Sequence, residues 1–152
     1  MAYSAGEART QLLDDMAEAT DQLELALASL GEAYEELDEQ TADHLEEELF
    51  RPVQHAYGRL RRTHDGFAER YGLPGRSFER SSGGLHSADP RVYVERAVEA
   101  VERADHGLSE LQDSMLPVEV GDRELRDGLS EVRELIAELP ARARRLMRAQ
   151  GR

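Results

Sequence analysis

RELRDGLSEVRELIAELPARARRLMRAQ, residues 123–150, carries Leu125, Leu129, Val132, Ile136, Leu139, Ala143 and Leu146 in alternating steps of four and three. That spacing keeps the apolar side chains on one side of an α-helix and predicts a helix packed along its whole length against others. Three further stretches carry the same signature. Leu13, Met16, Thr20, Leu23, Leu27, Leu30, Tyr34 and Leu37 form the first. Leu45, Leu49, Val53, Ala56, Leu60, Thr63 and Phe67 form the second, extended by Tyr71. Val94, Val98, Val101, Ala104 or Asp105, Leu108, Leu111 and Met115 form the third.

Boundary residues place these helices at about 4–38, 41–72, 89–115 and 122–150. Ser4-Ala5-Gly6-Glu7 is a capping box, Asp89-Pro90 an N-cap followed by proline, and Asp122 a cap for the last helix. Pro52 removes one backbone bond and predicts a kink in the second helix, or two helices meeting there. Pro140 predicts that the segment from Ala141 to Gln150 bends away. Residues 73–88, with Gly75, Gly83, Gly84 and several serines, are read as a mobile loop, longer than the ~2–8 residues that usually join packed helices. The resulting expectation is one domain over 1–152: an all-α, antiparallel, up-down-up-down four-helix bundle.

Composition narrows the chemistry. The 152 residues include no cysteine, which removes disulfides, thiolate metal sites and thiol nucleophiles. Neither a leader pattern at the N-terminus nor a run of ~18 apolar residues is found, so a cytoplasmic protein without a transmembrane segment is expected. The net charge of −13 argues against general nucleic-acid binding. All basic residues are arginine, which fits replacement of lysine across a whole proteome better than a dedicated anion site.

Charge is unevenly distributed. Residues 1–50 hold fifteen acids and one arginine, while residues 51–80 hold seven arginines and three acids. On an up-down-up-down bundle this predicts an acidic pole with Glu35, Glu36, Glu39, Glu46, Glu47 and Glu48. The opposite, basic pole then holds Arg59 and Arg62 with Arg142, Arg145 and Arg148 from the last turns. Macrodipoles favour acid where the second helix starts but not where the first one ends, so helix stability does not account for the whole acidic cluster. The functional expectation is a non-enzymatic interaction or scaffold protein, monomeric or homodimeric, using its poles for a protein partner or for self-association, without cofactors. The alternative is a metal-binding bundle. His44 and Glu48 share one helix face and Glu102 and His106 another, at similar heights in that topology. No nucleophile elbow or phosphate-binding glycine loop is present.

Overall fold

The computed structural model describes residues 4–78 and 89–150, and all its regular structure is helical. The elements are α1 (Ala5–Glu36), α2 (Glu39–Leu45), a π-helical turn (Glu46–Phe50), α3 (Arg51–Arg70), α4 (Pro90–Asp113), α5 (Leu116–Val120), α6 (Arg123–Ile136) and α7 (Leu139–Gln150). No helix among the described residues is long and apolar enough to cross a membrane. Caps fall where short polar side chains occur. Ser4 accepts from the Glu7 amide, Asp38 from Thr41, Asp89 from Arg91 and Asp122 from Leu125.

Four rods result, because α2, the π turn and α3 run on without leaving helical backbone angles, as α6 and α7 nearly do. Pro52 therefore produces a widened turn rather than a break. It has no N–H to offer the Glu48 carbonyl, and the Arg51 amide bonds back five residues to Glu46. Pro140 has a similar effect: regular helix lapses at residues 137–138 and resumes as α7. The expected bending away does not follow, since α7 packs on α4, α2 and the π turn and buries Leu139 and Ala143.

Long-range pairs give the sense of each rod. Taking α1 as running up, Arg9 lies over the Tyr71 ring, so α3 runs down. Arg103 bonds Gln22 while the start of α5 packs low on α1, so α4 also runs down. Arg70 meets Asp122, Arg59 meets Glu131 and Arg142 meets Glu48, so α6 and α7 run up. The order is up-down-down-up, not the expected up-down-up-down. α3 and α4 occupy diagonal corners, with α1 and the α6–α7 rod between them.

The connection after α3 accounts for this order. From Tyr71 at the lower end, the chain brings Arg76 to Asp21 (2.8 Å) and Phe78 edge-on to His64 (5.3 Å between centroids), climbing the side of the bundle. At ~3.3 Å per extended residue, a connection of this length easily matches α4, about 36 Å long. Residues 73–78 thus lie against α1 and α3, and the rest of the segment expected to be mobile, 79–88, is outside the described residues.

The core follows the heptads with one addition. Leu12, Leu23, Leu45, Leu60, Leu108, Leu125, Leu129 and Ile136 are fully enclosed, each contributing ~1.5–3 kcal/mol by burial. Beside the leucine seam, α1 buries a second face of Ala19, Ala26 and Ala33. On α4 the buried small residues are Ala97, Ala100 and Ala104. Small side chains let these two helices approach closely, and they form the most extensive helix pair. Tyr34 (40% exposed) and Met115 (52%) lie outside the core, contrary to their seam spacing. Met115 has φ of 69° and ends α4 in a left-handed conformation instead of continuing it.

Candidate functional site

One ionic cluster at the lower end is tied into the fold. Asp122 is 7% exposed, caps α6 through the Leu125 amide, and receives two bonds from the Arg70 guanidinium, at 2.9 and 2.7 Å. Burial pushes its pKa up, but Arg70, the Leu125 amide and Tyr71 outweigh this and hold the carboxyl below its ordinary range. Arg70 also reaches Glu124 at 2.7 Å. Higher on the same seam, Arg59 binds Glu131 at 2.6 Å and its Nη1 donates to Thr63. Gly128 permits this approach: a Cβ there would press on the Thr63 side chain, 2.7 Å from Cγ2.

The upper end differs. Glu35, Glu36, Glu39 and Glu47 are exposed, Glu46 is half-buried, and none forms an ion pair among the described residues. Their position follows from the short joint at Leu37-Asp38, which places the last turn of α1 beside the first turn of α2. Hydrogen bonds from the Thr41 amide and hydroxyl lower the pKa of Asp38 beside them.

The arginines expected at an opposite pole are dispersed. Arg59 is engaged with Glu131, and Arg62 is exposed on α3 and adds to the field on Glu131. Arg142, Arg145 and Arg148 ride on α7 toward the acidic end, the reverse of the expected placement, because α6 and α7 run up. Arg142 donates to the Glu48 backbone carbonyl (3.4 Å) and lies 3.9 Å from its carboxylate. Pro52, four residues further on, has no N–H to offer that carbonyl, and a guanidinium from another helix bonds it.

Around this contact α2, the π turn and α7 enclose a groove of about 500 Å³, lined by Gln40, Thr41, His44, Glu48, Arg142, Arg145, Leu146 and Ala149. Sequence reasoning named His44, Glu48 and the arginines but assigned the arginines to the opposite end; it read Leu146 as seam, and it missed Gln40, Thr41 and Ala149. The available signal was the four-residue interval from Glu48 to Pro52, which predicts an orphaned carbonyl.

The proposed metal ligands are not brought together. His44 and Glu48 line the α2–α7 groove, whereas Glu102 and His106 line a separate one on α4 with Ile136 and Pro140. The two pairs sit on diagonal rods, and His106 bonds Glu110 at 3.1 Å. Among the described residues no group of three or more His, Asp or Glu is arranged to hold a metal. Another groove, about 660 Å³ between α1 and α4, has Asp15, Glu18, Glu110 and Glu119 in its walls. Burial raises the pKa of Asp15 against a bond from Gln11, and Glu18, Asp14 and Glu110 add to the rise.

Comparison with protein-family models, curated proteins and solved structures returns no match. Any functional reading therefore rests on the chemistry of these surfaces.

Proposed function

We propose that the protein is a non-enzymatic interaction module that docks a cationic protein surface on its upper, acidic end. The observation that carries this reading is the exposure of Glu35, Glu36, Glu39 and Glu47 without ion-pair partners among the described residues, whereas Asp122 and Glu124 at the lower end are bonded to Arg70. Such a cluster adds self-repulsion, and Glu35 and Glu36 oppose the dipole of α1 although Glu39 suits that of α2, so folding does not account for the whole of it. Exposed to water, it attracts a partner's charge. Complementary charge of this kind accelerates encounter and selects partners, and it weakens with salt.

A fluorescent oligo-arginine peptide is the direct probe. Neutralising Glu35, Glu36, Glu39, Glu46 and Glu47 to Gln lowers its affinity about tenfold or more at low ionic strength. An equal neutralisation at Glu95, Glu99, Glu102, Asp113 and Glu134, amide for acid, lowers it far less. Equal losses from the two variants would mean that net charge alone attracts the peptide, and the docking surface would be rejected.

A further inference from the structure

The groove between α2 and α7 has a lining that the acidic surface does not account for. Gln40, His44, Arg142 and Arg145 bring hydrogen-bond donors to it, whereas the Thr41 hydroxyl is spent on Asp38. Its single carboxylate, Glu48, already faces Arg142. Arg145 has no ion-pair partner among the described residues, although the chain has 32 acids against 19 arginines. Leu146 and Ala149 supply an apolar wall beside it. The groove also abuts the π-helical turn, a feature frequent at functional sites.

We propose that this groove binds a small organic acid, with its carboxylate on Arg145 and its apolar body against Leu146 and Ala149. Donor excess selects an anion, and a planar guanidinium matches a carboxylate through two parallel bonds. The field of the neighbouring glutamates selects a singly charged head over a doubly charged phosphate, because each added negative charge meets the same repulsion. Arg142 bridges α7 and the π turn on the far wall through its bond to the Glu48 carbonyl. His44 and Gln40 complete the ring of donors from α2.

Benzoate tests this, with benzyl alcohol and inorganic phosphate as controls, by amide chemical-shift titration of the whole chain. Benzoate is expected to saturate at millimolar concentration, with shifts confined to residues 40–48 and 142–149, while the neutral alcohol and the phosphate bind at least tenfold more weakly. R145Q weakens benzoate about tenfold or more without altering the remaining spectrum, whereas R126Q, an exposed arginine on α6, leaves it unchanged. Non-saturating or scattered shifts, equal binding of the alcohol, tighter binding of phosphate, or full affinity in R145Q would each overturn the proposal. An R145Q spectrum that reports unfolding is replaced by that of R145K, which keeps the charge but loses the fork and is expected to weaken benzoate severalfold. Unchanged affinity in R145K would exclude the guanidinium fork.

Discussion

The two ends of this bundle contain similar residues used in opposite ways. At the lower end Asp122, Glu124, Arg70 and Tyr71 form one bonded network between α3 and α6, with a carboxylate out of water doing two jobs. At the upper end acids crowd a surface where nothing neutralises them, and the nearby arginines of α7 engage a single backbone carbonyl and a distant carboxylate. A charge that is buried and bonded is part of the fold, while one that is exposed and repelled is free for something outside it. On the function proposed above, the contrast sets stability at one end against recognition at the other.

The strongest way to break the lower end is Asp122→Ala. It removes a helix cap and leaves Arg70 without its buried partner, and a loss of about 3 kcal/mol in urea unfolding is expected. A loss below about 1 kcal/mol would show that solvent already screens the pair. Gly128→Ala comes next, because the new methyl group collides with Thr63. Overpacking is expected to outweigh the helix-propensity gain by about 1–2 kcal/mol. The double variant with Thr63→Ala should recover most of that loss, and failure to recover would place the strain elsewhere.

Met115→Gly sharpens the comparison from the other side, since the lower end also contains a strained residue. Glycine at φ of 69° relieves a left-handed conformation, with an expected gain of about 1 kcal/mol that calorimetry reads as a higher Tm.

The smallest effect concerns pH. Asp122 is held below its usual 3.8, so its contribution is present above that value and is lost only as pH falls through the lower folded pKa. Asp15 is raised above 3.8, so its ionisation disfavours the fold at neutral pH, and acidification through the raised value restores stability. Asp15→Asn is therefore expected to raise Tm slightly at pH 7 and hardly at all near pH 3, below the unfolded value. Equal shifts at both values would remove the electrostatic explanation.

Much of the fold was legible in the residues. Leucine seams gave the four rods, and Ser4, Asp89 and Asp122 gave their starts. The order of the rods was not legible, because a long connection is compatible with either topology and only contacts such as Arg76–Asp21 reveal its climb. That one ambiguity carried through to the site. Reversing the last rod moved Arg142, Arg145 and Arg148 to the acidic end, and setting α4 parallel and diagonal to α3 separated His44 from His106. The alanine face of α1 was missed because Ala19, Ala26 and Ala33 are weak apolar signals beside leucine, although their spacing of seven is regular. Met115 fits a heptad by position, but the proline at 117 stops the helix before the seam uses it.

The division between the ends is tested most directly by the unfolding free energy of the variant with Glu35, Glu36, Glu39, Glu46 and Glu47 changed to Gln. If these acids serve recognition alone, the variant keeps wild-type stability to within about 0.5 kcal/mol, or exceeds it, at low ionic strength. A loss of about 2 kcal/mol or more would mean that the acidic end holds the fold together, and the contrast between the two ends would fail.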